Sequence, residues 1–284
     1  MQTEPDSPAR NVSGSRSENG SESENGNKNE SGSGNGSETE NEIQKTLSLL
    51  FPDGDVVELR ALGDGGVHSG YFNDFDALAG KARTLDAFRD VTGIYVSLNE
   101  VNPALLSRWA NRVKQRLSRS DATTADADIV RRRWLPIDLD PVRPSGVSAT
   151  DAEHAAALKR AETVAAWLTK RGFPQPIMAD SGNGAHLLYR IDLPNDGEAT
   201  RLVKRCLAVL DALFSDNRVH CDTANFNAGR IWKCYGTTAC KGDHTEERPH
   251  RQVYRLLHGY SVNRTRYQGL LDKCPAISLI DATV

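Results

Sequence analysis

Residues 129–222 constrain the fold more tightly than any other part of the chain, because strand and helix signals alternate there in an order that few architectures satisfy. Residues 129–140 have the β-branched and apolar content of a long strand. Thr150 and Glu153 form a capping box, in which each side chain satisfies an orphan backbone N–H at a helix start. The helix it opens is expected to run to about Arg171, with Ala155, Leu158, Ala161, Ala165 and Leu168 facing inward. Residues 176–179 read as a short strand, Ser181-Gly182-Asn183-Gly184 as a tight turn and residues 185–191 as the returning strand. A second helix over residues 196–214 would bury Leu202, Val203, Cys206, Leu207, Leu210 and Leu213, and a last strand covers residues 218–222.

The order β-α-β-β-α-β is the split arrangement of ferredoxin-like and RNA-recognition-like folds. The expected class is therefore α/β in content and α+β in architecture: an antiparallel sheet of spatial order 4-1-3-2, packed with an N-terminal αβ unit. In that unit, about residues 43–125, a strand over 56–61 pairs with Tyr71 and Phe72 across the turn-rich stretch 63–70. A helix over 74–90 and a strand over 93–98 follow. Asn102 as cap and Pro103 in the first turn then open a helix through Leu105, Leu106, Trp109 and Val113. This unit carries no identifiable chemistry.

Of the first 42 residues, 30 are Ser, Glu, Asn or Gly and none is aromatic, so they cannot bury enough apolar surface to offset their ordering entropy and are expected to be a disordered acidic tail. The tail holds −6 of charge against −3 for the whole chain, which leaves the rest at +3. Between Arg201 and Lys273 there are 13 Lys or Arg against 7 Asp or Glu. A polyanionic partner suits such a region, but charge alone fits a solvated mixed surface better. No apolar run approaches the roughly 18–20 residues of a membrane span, and the acidic N-terminus is unlike a secretory signal, so a cytoplasmic protein without a membrane partner is expected. Five cysteines without CxxC spacing read as reduced thiols.

Polar residues gather where the strand ends should meet. Asp138 and Asp140 close the first strand, two residues apart and so on one face, about 6–7 Å from each other along the strand. Two such carboxylates repel, and a divalent cation relieves the repulsion; Mg²⁺ takes a few carboxylate oxygens plus substrate phosphates. On its own this pair more often marks a strand entering a loop. The Ser181-Gly182-Asn183-Gly184-Ala185-His186 run could bring backbone amides, a hydroxyl and an imidazole to an anion, or be a glycine-rich hairpin followed by a core histidine. Asp222 puts a third carboxylate at the same edge. Arg230 and Lys233, three apart, would share a face of a helical turn and hold a triphosphate, or be an exposed basic turn. Lys241, Arg248 and Arg251 lie in a basic stretch that could track a phosphate backbone. The convergence of three polar signals at one sheet edge carries more weight than any of them alone.

Together, Asp138-Leu139-Asp140, the Ser181-to-His186 run and Cys221-Asp222 resemble the three motifs of archaeo-eukaryotic primases: an acidic DxD, an SxH-type motif, and a hydrophobic residue followed by Asp. The segments IYVSLNEVNP, DLDPVRPSGVSAT, SGNGAHLLYRIDLPN and GRIWKCYGTTACKGD are similar to the primase-polymerases of plasmids, phages and other mobile elements. The resemblance covers roughly residues 56–257. It implies a catalytic domain over 43–260, with an RNA-recognition-like half over about 126–260 and an extension over 261–284. Asp138, Asp140 and Asp222 would hold two Mg²⁺ or Mn²⁺ ions; Ser181, Gly182, Gly184 and His186 would contact the incoming NTP or dNTP, assisted by Arg230 and Lys233; Lys241, Arg248 and Arg251 would contact nucleic acid. Cys221 would stand in for the hydrophobic residue.

The implied function is a DNA primase-polymerase: template-directed nucleotidyl transfer on single-stranded DNA, making primers for replication of a mobile element. Two alternatives stay open, an extension-only repair-type polymerase on the same scaffold and a non-catalytic nucleic-acid-binding module. Without a GxxxxGK[ST] run, a helicase would have to act in trans from another chain. Cys234, Cys240 and His244 have spacings without a fourth ligand, which argues against zinc. A Toprim-type primase would need an upstream strand Glu, and a rolling-circle endonuclease a paired-His site with a Tyr nucleophile; no such strand Glu is evident, and His186 lacks a neighbouring His. Sugar selection is expected to depend on pocket shape near residues such as Tyr235.

Overall fold

A computed structural model describes residues 33–256. The tail before residue 33, the extension over 261–284 and Cys274 lie outside the described residues. In chain order the elements are α1 (Ser33–Leu50), β1 (Val57–Gly63), β2 (Gly66–Phe72), α2 (Phe75–Asp86), β3 (Gly93–Ser97), β4 (Glu100–Val101) and β5 (Ile129–Pro141), then α3 (Asp151–Thr169), β6 (Ile177–Asp180), β7 (Ala185–Pro194), α4 (Gly197–Phe214) and β8 (Val219–Cys221). Four short strands follow: β9 (Ile231–Lys233), β10 (Thr238–Ala239), β11 (Arg251–Gln252) and β12 (Tyr254–Arg255). The architecture is mixed α and β with antiparallel sheets. Among the described residues no helix is long and apolar enough to cross a membrane.

The N-terminal sheet has the order β2-β1-β3-β9. Alternation along β1 sends Val57, Leu59 and Ala61 to one face and Glu58 and Arg60 to the other. The first set joins Ile43, Leu47 and Leu50 of α1 and Leu78, Ala79, Ala82 and Leu85 of α2 in a buried core. The helix α1 starts ten residues inside the segment whose composition suggested a tail. Ile43, Leu47 and Leu50 recur at helical spacing and are buried, while Glu42 pairs with Arg255 and Glu40 with Arg83, so tertiary contacts anchor a stretch that composition alone reads as unstructured.

The second sheet is organised by the 13-residue strand β5. β7 lies along one side of it, β8 pairs with residues 139–141 on the other side, and β6 and β12 continue beyond β7, all antiparallel. In the unit β5-α3-β6-β7-α4-β8 the spatial order is β8-β5-β7-β6. Leu135, Ile137 and Leu139 face α3 and α4, in a core with Ala157, Val164, Leu168, Val203, Leu207 and Leu210. Trp134, Leu188, Ile177 and Ala179 face the other way and join the core of the N-terminal unit. The Thr150–Glu153 capping box is present at the start of α3.

Three local expectations change. The inward face of α3 is turned by part of a helical turn: Ala157 and Val164 are buried, Ala155 is exposed and Leu158 half-buried. Leu213, expected inward, is 54% exposed at the last turn of α4. Asn102 does cap a helix with Pro103 in its first turn, but it is a five-residue 3-10 turn ending at Ser107, and the chain then runs along the edge of β2. Backbone pairing with β2 outcompetes continued helix there, with Lys114 exchanging both backbone hydrogen bonds with Ser69 at 2.9 and 3.1 Å.

Candidate functional site

The site lies at the C-terminal end of β5, on the face opposite α3 and α4. Alternation forces this: once Leu135, Ile137 and Leu139 are committed to the helices, Asp138 and Asp140 must project from the other face. The β8 strand brings the third carboxylate, because the Asp222 N–H donates to the Asp138 carbonyl at 2.9 Å. Asp222 caps the next turn, accepting from the Ala224 N–H at 2.8 Å and the Asn225 side-chain amide at 3.0 Å. Cys221, between them, packs with Leu139 in the helix-side core as a small hydrophobe, and burial pushes its thiol up to about 12.

Asp138 is the anomaly. Its Oδ1 is buried with no hydrogen-bond partner, although buried polar atoms are nearly always paired. Burial, and then repulsion from Asp140 and Asp222, holds its carboxyl well above the ordinary range, and the positive charges of Lys241 and Arg143 only partly oppose this. Asp140 is 41% exposed and accepts from Arg143 at 3.3 Å. Arg143 was not singled out by the sequence reading; its position three residues after Asp140, in the same Pro-flanked turn, is the signal that could have found it. His220 was also missed: it stands opposite Asp140 in the β5–β8 register, so it lies on the carboxylate face, and it is exposed.

His186 pairs in register with Asp138 across β5 and β7, with Nε2 3.6 Å from Asp138 Oδ1. Its ring stacks on Trp232 with centroids 4.1 Å apart, and its Nδ1 lies 3.2 Å from the Tyr235 hydroxyl. Trp232 Nε1 donates to that same hydroxyl at 2.8 Å. Trp232 can only donate, so the Tyr235 proton is free to go to His186 Nδ1, which leaves the imidazole proton on Nε2, facing Asp138. Burial, aided by the positive charge of Lys233, lowers His186 to about 3, so the ring is neutral at any physiological pH. Tyr235, expected near a sugar pocket, is fully buried behind His186 and positions it instead.

The Ser181-to-Gly184 turn has its polar groups already engaged. Gly182 N–H donates to Asp180 Oδ1 at 2.7 Å, Gly184 N–H to Ser181 Oγ at 3.0 Å, and Asn183 Oδ1 accepts from the Ala149 N–H. The glycines are required by packing: a Cβ on Gly184 would lie 2.3 Å from the Leu139 carbonyl oxygen, and Gly182 has φ +82°. They press the turn against the end of β5, where the Ser181 hydroxyl keeps one proton to donate.

The basic residues separate. Arg230 and Lys233 do not share a helical turn, because Lys233 lies in β9, opposite Tyr95, with Nζ 4.6 Å from that ring, while Arg230 precedes the strand and donates to the Ala224 carbonyl. β3 needs a partner for its outer edge, and the Ile231-Trp232-Lys233 run supplies it. Arg248 forks onto Glu153 at 2.9 and 3.2 Å, and Arg251 pairs with Asp151 at 2.6 Å, so both clamp the last strands to the first turn of α3. Lys241 stays exposed, and its charge reaches Asp138.

Among the described residues no three His, Cys, Asp or Glu side chains stand close enough together to ligate one ion as they are. Cys234 lies in the core with its thiol raised to about 12. The carboxylates Asp138, Asp140 and Asp222 nonetheless offer hard oxygen donors around an orphaned, destabilised Oδ1, which fits a divalent cation of the Mg²⁺ or Mn²⁺ type. No family profile, curated protein or solved structure matches the chain.

Proposed function

We propose that the chain is a primase-polymerase, transferring nucleotides onto a strand templated by single-stranded DNA. The observation that carries the reading is the buried, partnerless Oδ1 of Asp138 between two further carboxylates at one end of a sheet. The strand order β8-β5-β7-β6, which is that of an RNA-recognition-like half, supports it. Asp138, Asp140 and Asp222 would hold Mg²⁺ or Mn²⁺, which when bound activates an attacking 3′-hydroxyl and offsets charge on departing pyrophosphate. Loading the site takes the proton off Asp138, since its raised carboxyl must ionise to ligate. His186, neutral and with its proton on Nε2, donates to a phosphate oxygen and is not the base. The Ser181 hydroxyl donates beside it, and Lys241 adds positive charge at the mouth. Lys233 contributes positive field at His186. An RNA-polymerising or a DNA-polymerising product, and a helicase in trans, are both compatible with this site.

The test is synthesis on circular single-stranded DNA with Mg²⁺ or Mn²⁺ and labelled NTPs or dNTPs, without primer, beside an Asp138→Ala, Asp140→Ala control. New oligonucleotides absent from the control are expected. Activity only after a primer is added would assign an extension polymerase, and no activity in either arm would leave a binding module.

A further inference from the structure

The residues on the edge of β2, expected to be helix and to carry no chemistry, have an unusual charge pattern. Between Val101 and Ser120 there is no acidic residue, while Arg108, Arg112, Lys114, Arg116 and Arg119 are all basic. The segment is fixed, not loose. Asn111 N–H donates to the Tyr71 carbonyl at 2.8 Å, Lys114 N–H to Ser69 at 2.9 Å and Leu117 N–H to Val67 at 2.7 Å. Three successive anchor points on β2 spread the arm over two two-residue steps, about 13 Å. Asn111 also ties it to the start of α2, its Oδ1 accepting from the Asn73 and Asp74 N–H groups at 3.1 and 3.2 Å. A Cβ on Gly70 would lie 2.0 Å from the Arg112 carbonyl oxygen, so glycine there is what lets the arm lie on the strand.

The backbone is held in a conformation that side chains rarely adopt. Trp109, Asn111 and Arg116, with φ of 65°, 50° and 53°, are the only non-glycine residues with positive φ among the described residues. Lys114 is held by Asp121 at 2.7 Å, and Arg108 lies 3.9 Å from Asp128. Arg112 and Arg119 are exposed with no acidic partner among the described residues, and Arg116, 73% exposed, reaches Asp90 only at 3.6 Å. Three exposed guanidinium groups therefore belong to one segment whose backbone is anchored along the edge of β2. Several exposed cations along one extended segment suit a linear polyanion better than a single small anion. The Trp109 face is taken by Lys114, with Nζ 5.4 Å from the ring, so the arm offers charge and no free stacking platform.

We propose that residues 108–119 form a sequence-independent docking ridge for the phosphate backbone of single-stranded nucleic acid, gripped by Arg112, Arg116 and Arg119. This rests on the template-directed reading of the carboxylate site, and it moves the backbone contact away from Arg248 and Arg251, which are committed to α3.

The test measures binding of the full chain to labelled dT20 by fluorescence anisotropy in EDTA, over a range of salt. With three phosphate contacts at about 0.7 each, Arg112→Ala, Arg116→Ala, Arg119→Ala together should lower the slope of log K against log salt by about 2, and weaken binding about 100-fold near 0.1 M salt. Replacing the same three by Lys should retain most of the slope, since a point charge suffices. An unchanged slope in the Ala variant, a Lys variant as weak as the Ala variant, or a wild-type chain that prefers poly-glutamate to dT20 would overturn the proposal. Synthesis without a ridge effect would remove the ridge alone, and a ridge effect without synthesis would remove the enzymatic reading alone.

Discussion

Two carboxylates with buried oxygens have opposite surroundings in this molecule. Glu58, on β1, is fully buried and completely satisfied: its oxygens accept from Arg60 Nε at 3.1 Å and Arg60 Nη2 at 2.6 Å, from Ser69 Oγ at 2.5 Å and from the Thr124 N–H at 3.1 Å. Asp138, on β5, has a buried oxygen with no hydrogen bond, the His186 Nε2 standing off at 3.6 Å, two carboxylates as neighbours and a carboxyl held well above its ordinary range. A satisfied buried acid ties three segments together and stabilises the fold. An unsatisfied one destabilises it, and is tolerated where a ligand supplies the missing charge.

The largest expected effect lies on the Glu58 side. Glu58→Ala strands the Arg60 guanidinium and the Thr124 N–H and should cost about 3–5 kcal/mol in urea unfolding, with no recovery on adding divalent cations. Asp138→Ala should do the reverse, leaving the fold intact and lowering nucleotide incorporation by more than about 100-fold in a primer-extension assay. Tyr235→Phe sharpens the contrast one residue further out. It removes the hydroxyl between Trp232 and His186 and frees the imidazole to change tautomer, so kcat should fall about 10–100-fold, with the His186 nitrogen shifts in NMR reporting the tautomer.

The smallest effect is the pH dependence of stability without cations. The folded-state pKa of Asp138 is raised above its unfolded value, so the folded chain binds the extra proton. Its contribution is most favourable below about pH 4, and it is lost as pH rises through the interval up to the raised value. Asp138→Asn should flatten that slope in thermal melts taken with EDTA.

Much of the second sheet was legible in the sequence because its signals are local. The Thr150–Glu153 box and the glycine turn each act within a few residues, and both appear where expected. Asp138 and Asp140 were legible because alternation along β5 puts them on one face, whereas Asp222 reaches them through the pairing of β8 with β5. What failed depended on distant partners. The arm at 108–119 is not a helix because β2, some 40 residues earlier, offers it an edge. Lys233 is in a strand because β3 lacks a neighbour. Arg248 and Arg251 read as free cations until Glu153 and Asp151, about 100 residues upstream, are brought beside them. The His186–Tyr235–Trp232 relay joins residues 49 and 3 positions apart, and no periodicity announces it.

The central claim is that the ionised form of Asp138 lacks a counter-charge that the protein leaves for a cation to supply. Thermal unfolding of the wild-type chain and of Asp138→Asn, each in EDTA and in millimolar Mn²⁺, tests it most directly. The account predicts that Mn²⁺ raises the wild-type midpoint, and that Asp138→Asn is already more stable than wild type in EDTA and gains little from the ion. A wild-type chain indifferent to Mn²⁺, together with an Asp138→Asn variant that melts earlier, would contradict it.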